Sequence, residues 1–236
     1  MDCISNFIWE KNSRDKNEDA LVFKQVAKEG KEYLLAVVCD GIGGLSEGEN
    51  ASSFVADSMG RQLMRLLEME QKIKLKYWRN AFLKNIYQCH KQLLLYGEER
   101  GISLGTTLSM VFLCDGKGYI LHVGDSVVFT GKKRLIRRTS IQRTKTGALK
   151  QAVGVGQELK VEWRRICVRK GSVILLGSDG FYQKIEERFL NSAGIKELGK
   201  RSMNESKLGS WLRSRVNMVK QMGERDNASA VCMVFR

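Results

Sequence analysis

The stretch Val37-Val38-Cys39-Asp40-Gly41-Ile42-Gly43-Gly44-Leu45-Ser46-Glu47-Gly48-Glu49 decides how the rest of the chain is read. The apolar run from Tyr33 to Cys39 is short and nearly continuous, which suits a strand buried on both faces. Asp40 stands at the end of that strand, where a carboxylate can project past the sheet edge. Gly41, Gly43 and Gly44 open backbone conformations closed to other residues and can bring a carbonyl close to a ligand. Ser46, with Glu49 three positions on, has the spacing of a capping box and is expected to start the next helix. A plain sharp turn explains the glycines equally well. What separates the two readings is that four more aspartates lie in turns of the same kind.

Asp125 sits in Gly-Asp-Ser, Asp179 in Ser-Asp-Gly and Asp226 in Asp-Asn, each at the edge of an apolar run. Asp19, in Asn17-Glu18-Asp19, lies just before another. Taken singly, each aspartate is a turn residue that caps its own backbone. Taken together, that reading needs five coincidences. If the strand ends converge, several carboxylates share one cleft, and like charges that close must bind protons or cations. The chain has two histidines. His90 falls on a helical stretch and His122 within a strand, so both read as structural. A site of carboxylates, a backbone carbonyl and water suits magnesium or manganese rather than zinc or copper.

Composition sets the outer bounds. A chain of 236 residues with 43% hydrophobic content fits one domain with a substantial core. Proline is absent, and no Pro-rich or Ser-rich stretch marks a linker. The six cysteines are widely spaced with no Cys-x-x-Cys, which suits buried thiols in a reducing cytoplasm. The N-terminus has no signal-peptide pattern, and no run reaches the length of a membrane span. The formal charge is +14. Its clusters are Lys132-Lys133-Arg134, Arg137-Arg138 and Arg164-Arg165. A solvated basic surface comes first among readings of this charge, attraction to phosphorylated protein second and nucleic acid third, since no interleaved aromatic platform accompanies it.

Periodicity orders the elements. Cys3 to Glu10, Ala20 to Ala27 and the run ending at Asp40 read as strands, the last two joined at Glu29-Gly30. Glu47 to Glu70 and Tyr77 to Tyr96 carry apolar residues at helical spacing. Thr106 to Cys114 and Tyr119 to Val123 form a hairpin across Asp115-Gly116, followed by Val127 to Thr130. Segment 132–155 is basic and weakly periodic, with a short helix expected near Ala148 to Val153. Leu159 to Val168 and Ser172 to Leu176 are expected to pair as a hairpin across Arg169-Lys170-Gly171. A helical region follows Gly180, its best part Glu205 to Met222, and Ala228 to Phe235 closes the chain as a strand. Strands at both ends and in the middle, with helical pairs between, indicate an α+β fold: a four-layer α-β-β-α sandwich around two mainly antiparallel sheets.

These motifs, in this order, resemble the metal-dependent serine/threonine protein phosphatases of type 2C in their compact bacterial form. Arg14-Asp15-Lys16-Asn17-Glu18-Asp19 is similar to the family's opening Arg-x-x-Asn-Glu-Asp. Asp40-Gly41-Ile42-Gly43-Gly44 with Gly48-Glu49-Asn50-Ala51-Ser52 is similar to its central element. Gly105-Thr106-Thr107, Val123-Gly124-Asp125-Ser126, Gly177-Ser178-Asp179-Gly180 and Asp226-Asn227 match the later motifs. The resemblance implies two bridged Mn2+ or Mg2+ ions, with Asp40 bridging them and Asp179 and Asp226 completing the first. The Gly41 carbonyl would serve the second, with Glu18 or Asp19 close by, directly or through water. Asp125 with Asp179 resembles the pair that holds a third, weaker metal, and Arg14 would grip the substrate phosphate. It also implies hydrolysis of phosphoserine and phosphothreonine by a water held between the metals, with no Cys or Ser nucleophile.

The departures concern substrate choice. Ile42 stands where animal members carry a histidine, Leu45 where many bacterial relatives have His, and Val127 where an Arg usually follows Gly-Asp-Ser. The Thr-x-Asp-His-Ser element is missing; Arg137-Arg138-Thr139-Ser140-Ile141-Gln142-Arg143-Thr144 stands in the flap region instead. The expected protein is a cytoplasmic monomer acting on a phosphorylated protein such as an autophosphorylated kinase, without nucleic acid or membrane. The alternative is a catalytically inactive member that binds phosphoprotein or scaffolds a complex.

Overall fold

A computed structural model describes residues 2–69, 74–185, 193–200 and 202–236. Among the described residues, ten strands form two five-stranded sheets in which every paired strand runs antiparallel to its neighbour. The first sheet has the order β1-β10-β9-β6-β7, from Cys3–Glu10, Ala228–Phe235, Val173–Gly177, Val127–Gly131 and Leu135–Arg137. The second has the order β2-β3-β4-β5-β8, from Asp19–Lys28, Lys31–Asp40, Leu108–Cys114, Lys117–Val123 and Glu162–Cys167.

Strand β3 shows how the layers arise. Its residues alternate faces, as strand geometry requires. Leu35, Val37 and Cys39 pack against helices α1 (Gly48–Glu68) and α2 (Leu75–Arg100). Leu34, Ala36 and Val38 pack against the other sheet, with Ile174, Leu176, Val231 and Met233. Strand β10 divides in the same way. Ala230, Cys232 and Val234 face Leu208, Trp211, Leu212 and Val216 of the helix Glu205–Gln221. That helix is α5, following the short α3 (Asp179–Tyr182) and α4 (Ala193–Leu198). Each wholly buried aliphatic side chain contributes roughly 1.5–3 kcal/mol, so these three apolar layers dominate the stabilisation of the fold. Helices outside, sheets inside: the four-layer α-β-β-α sandwich is the fold observed.

Four local expectations need correction. First, helix α1 begins at Gly48, and its cap is Glu47 at φ 57° with no side-chain cap hydrogen bond. Ser46 and Glu49 do not form a capping box; Glu49 instead pairs with Lys16. The cause is crowding, because Gly48 lies under the Glu18 carboxylate and the chain must turn sharply to enter the helix. Second, β8 and β9 are not a hairpin. Strand β8 pairs with β5 in one sheet, and β9 lies between β10 and β6 in the other. Third, no helix forms over 148–153. Val153 pairs with Thr106 through two backbone hydrogen bonds of 3.0 and 2.9 Å, and Arg143 pairs with Leu149. Fourth, the expected Thr106–Cys114 strand starts at Leu108, with Thr106 held in an isolated bridge. Glu70 and the part of the helical region at 186–192 lie outside the described residues. Among the described residues no helix is long and apolar enough to cross a membrane.

Candidate active site

The antiparallel order brings distant turns to one end of the sandwich. In the first sheet, the end of β9 lies beside the starts of β6 and β10, because Gly177 pairs with both Val127 and Ala230. Asp179, Asp125 and Asp226 extend from those three strand ends. In the second sheet, the register sets Asp19 opposite Asp40. The chain therefore delivers its acidic turns to a single cleft of about 170 Å3. Its lining includes Arg14, Glu18, Asp40 and Gly41 together with Asp125, Arg143, Asp179 and Asp226.

The backbone at Asp40 is tightly fixed. Its N–H donates to Thr107 Oγ1 at 3.0 Å, and its carbonyl accepts from the Thr107 N–H and the Thr106 hydroxyl, both at 2.9 Å. The Thr107 hydroxyl also meets Ser126 at 2.7 Å, which ties the Asp40 turn to the Asp125 turn. Gly41 donates to the Glu18 carbonyl at 3.0 Å. A Cβ at Gly41 would lie 2.4 Å from the Gly48 carbonyl oxygen, so only glycine allows these chains to pass. Asn227 secures the other wall. Its side chain accepts from the Glu18 N–H and donates to the carbonyls of Lys11 and Lys16.

Two guanidiniums face the acids. Arg14 donates to Asp226 at 2.8 Å on the rim, where both side chains are substantially exposed. Arg143 reaches deeper, with Nε on Asp125 and Nη2 on Asp179 at 2.6 Å. Its own segment is clamped to the Asp125 turn. Gln142 donates its N–H to the Gly124 carbonyl at 3.0 Å, and its side chain accepts from the Gly124 N–H at 2.8 Å. Asp19 is set back from the cleft lining. Its Oδ2 accepts from the Ser178 hydroxyl at 2.9 Å, while its Oδ1 is buried without a hydrogen-bond partner.

Burial and mutual repulsion disfavour ionising all of these carboxylates together. Burial, and then the neighbouring Asp19, Asp179, Asp125 and Asp226, push the Asp40 carboxyl well above its ordinary range. Burial, and then Asp125 and Asp226, raise Asp179 despite the opposing Arg143. Burial raises Asp19 to about 7, and it raises Glu18 as well. An all-oxygen donor set that resists ionising together, with an orphaned carboxylate oxygen behind it, fits hard divalent cations in kind. As the side chains stand, among the described residues no three acidic, histidine or cysteine groups are assembled at ligand spacing. The guanidiniums of Arg143 and Arg14 instead hold oxygens of Asp125, Asp179 and Asp226.

The carboxylates expected to serve metals, Glu18, Asp19, Asp40, Asp125, Asp179 and Asp226, reach this end of the molecule, and Arg14 stands at its rim. Sequence reasoning quoted Thr107 within a motif and Arg143 within the flap stretch but gave neither a role, and it missed Tyr182, whose hydroxyl donates to the Asp125 carbonyl at 2.9 Å. Arg143 is one of 40 lysines and arginines, and nothing in its neighbourhood sets it apart. Both histidines are structural: His122 bridges Ser109 to the carbonyls of Gly124 and Ser140, and His90 accepts from the Gly154 N–H.

The family model described as Protein phosphatase 2C matches residues 11–218. No curated protein matches the chain. Among solved structures, PppA of Pseudomonas aeruginosa, described as a key regulatory component of T6SS, is 21% identical with a TM-score of 0.76, covering 99% of each chain. Serine/threonine phosphatase Stp1 from Staphylococcus aureus is 21% identical with a TM-score of 0.80, covering 98% of this chain and 94% of its own. The Mycobacterium tuberculosis serine/threonine phosphatase PstP/Ppp is 18% identical with a TM-score of 0.77, covering 99% of each. At these identities the structures speak for the fold, and the family rests on the sequence match. The chain belongs to the protein phosphatase 2C family of protein serine/threonine phosphatases.

Proposed function

We propose that residues 1–236 form one phosphatase domain that hydrolyses phosphoserine and phosphothreonine in proteins, using two manganese or magnesium ions and a weaker third. The observation that carries this reading is the meeting of Glu18, Asp40, Asp125, Asp179 and Asp226, from five separate segments, in one small cleft with Arg14 at its mouth. The divalent ions would supply charge neutralisation and activation of the attacking water near neutral pH. Asp40, Asp179, Asp226 and the Gly41 carbonyl would hold the two principal ions, with Glu18 or Asp19 close by, directly or through water. Asp125 with Asp179 would hold the third.

The chain's own residues do the rest. Arg14 exchanges Asp226 for the substrate phosphate, orienting it and offsetting charge on its oxygens. Cys39, next to Asp40, is buried and its thiol is held well above the normal range, so it does not act as a nucleophile. Ile42 offers no proton to the leaving oxygen, so water or another group must supply it. Six cysteines without a disulfide fit a reducing cytoplasm.

Hydrolysis of a small aryl phosphate with added manganese tests the proposal. Activity that chelator removes, and that Asp40→Asn lowers by at least about a hundredfold, is the expected result. The second reading, an inactive phosphoprotein-binding member, is favoured by the Arg143 guanidinium, which occupies Asp125 and Asp179. No turnover at any manganese concentration would select it.

A further inference from the structure

Basic clusters that are separate in sequence meet in the fold. Strand β7 is one edge of the first sheet, β1 the other, and β8 is one edge of the second, β2 the other. Between β7 and β8 lies a groove of about 970 Å3, far larger than the acidic cleft. One wall, from the end of β6 through β7, brings Lys132, Lys133, Arg134 and Arg138. The other, β8 and the turn after it, brings Arg164, Arg165 and Arg169. No acidic residue lines the groove. Glu162 nearby holds Arg164 at 3.1 Å, and Arg138 donates to Thr130 at 2.7 Å. Among the described residues Lys132, Lys133, Arg134, Arg165 and Arg169 have no ion-pair partner.

Gathering that charge costs self-repulsion that the fold does not need. An anionic occupant would relieve it. Two further features narrow the occupant's chemistry. Both walls are strand edges, whose free backbone groups accept an extended chain. Ile136 and Trp163 are exposed among the cations, at 41% and 46%, and offer apolar contact between the charges. Stacked bases fit less well, because Arg79 already lies over the Trp163 ring at 4.3 Å.

We propose that this groove binds an acidic, extended segment of the same phosphorylated protein whose phosphoresidue enters the Asp40 cleft. The proposal rests on the phosphatase reading above. One stretch of chain joins the two places, since Arg138 lines the groove and Arg143, five residues on, lines the cleft. Five residues span at most about 18 Å, so the acidic run should lie within roughly five to eight residues of the phosphoresidue. Substrate choice then comes from the edge strands, and not from the glycine loop.

The test uses the full chain with manganese and phosphoserine peptides that differ only in a flanking run, glutamates against serines, placed on either side. The acidic run should lower KM by about tenfold with kcat unchanged. The variant Lys132→Glu/Lys133→Glu/Arg134→Glu should erase that preference while aryl phosphate turnover stays within about twofold. Should that variant fail to fold, Arg165→Glu/Arg169→Glu tests the opposite wall. Equal KM values for the two peptides, with aryl phosphate still hydrolysed, would overturn the groove and leave the phosphatase reading intact. If aryl phosphate is not hydrolysed, anisotropy of a labelled glutamate-run peptide decides: loss of binding in the charge-reversed variant supports the groove, and no binding to the parent chain overturns it. A DNA duplex that displaces the peptide at equal charge concentration would also overturn it, in favour of nucleic acid.

Discussion

The Nη2 of Arg143 lies 2.6 Å from Oδ2 of Asp179, and the Nε of the same guanidinium is held by Asp125. The Asp125 side chain is almost wholly buried, while Arg143 keeps 29% of its side-chain exposure. One planar cation thus spans the two carboxylates expected to share the weaker third metal. Planarity suits Arg to this role, because its fork reaches two acids at once where lysine reaches one.

Removing that cation should free the pair for a divalent ion. Arg143→Ala is expected to tighten manganese binding by on the order of tenfold, since a like charge no longer stands at the site. Without metal, the same change should lower stability by about 1–2 kcal/mol, a value discounted for the partial exposure of Arg143. Calorimetric titration of manganese into chelator-treated protein, with urea unfolding in parallel, reads both effects. Weaker metal binding in the variant would show that Arg143 supports the site rather than competing for it.

Asp40 gives the opposite stability effect. Its carboxyl is raised by burial first and by four acidic neighbours next, so its ionisation is unfavourable in the folded state. For a carboxyl raised on folding, the favourable contribution is complete below the unfolded value of 3.8 and is lost as pH rises through the folded value. At neutral pH, Asp40→Asn should therefore stabilise the metal-free protein by roughly 1–2 kcal/mol while lowering activity by at least about a hundredfold. The gain should vanish near pH ~4, where wild type is protonated as well. Urea midpoints at the two pH values check it. Equal destabilisation at both would mean that the amide cannot be accommodated beside Thr106 and Thr107.

Much of this was legible in the sequence, for identifiable reasons. Strand β3 and helix α5 announced themselves by periodicity, because burial on fixed faces imposes a repeat on the chain. The acidic turns were legible because aspartate followed by glycine, serine or asparagine at a strand end is a local pattern. The β8–β9 error has a different origin. A turn such as Arg169-Lys170-Gly171 fixes a reversal of the chain, but not whether the second strand stays in the same sheet. Here Gly171 donates instead to the Phe235 carbonyl, and the chain crosses between layers. Arg143 was illegible for a similar reason: its aim at the acids depends on the pairing of Gln142 with Gly124, 18 residues away, and on its own bridge to Leu149.

Metal binding should depend on pH in a defined direction. Asp19 is raised from 3.8 to about 7, and Asp40, Asp179 and Glu18 are raised as well. Protons retained by these groups must leave before an ion can bind, so affinity increases as pH rises through the window from about 4 to about 7. The increase in Tm produced by saturating manganese should accordingly be several degrees larger at about pH 7.5 than at about pH 5. Comparing the two increments, instead of the bare Tm values, cancels the titration of distant surface groups. An increment that does not change with pH would place the bound ion away from these carboxylates.

The glycine loop separates packing from backbone conformation. Gly41 has no positive φ, so alanine there meets no conformational barrier; its methyl group would instead lie 2.4 Å from the Gly48 carbonyl oxygen and 2.7 Å from that of Glu18. Both neighbours are backbone atoms and cannot rotate away. Either the start of α1 or the Glu18 segment must move, and both carry residues of the cleft. Gly41→Ala should cost about 1–3 kcal/mol and lower activity by more than that stability loss explains. Gly44, three residues on, has open space where a methyl group would go and no positive φ. Gly44→Ala should therefore change stability by less than about 0.5 kcal/mol and leave aryl phosphate turnover intact. Urea midpoints and turnover of the two variants, measured side by side, test the point. Equal tolerance at both positions would mean that Gly41 is not the place where strand β3, Glu18 and α1 are locked together.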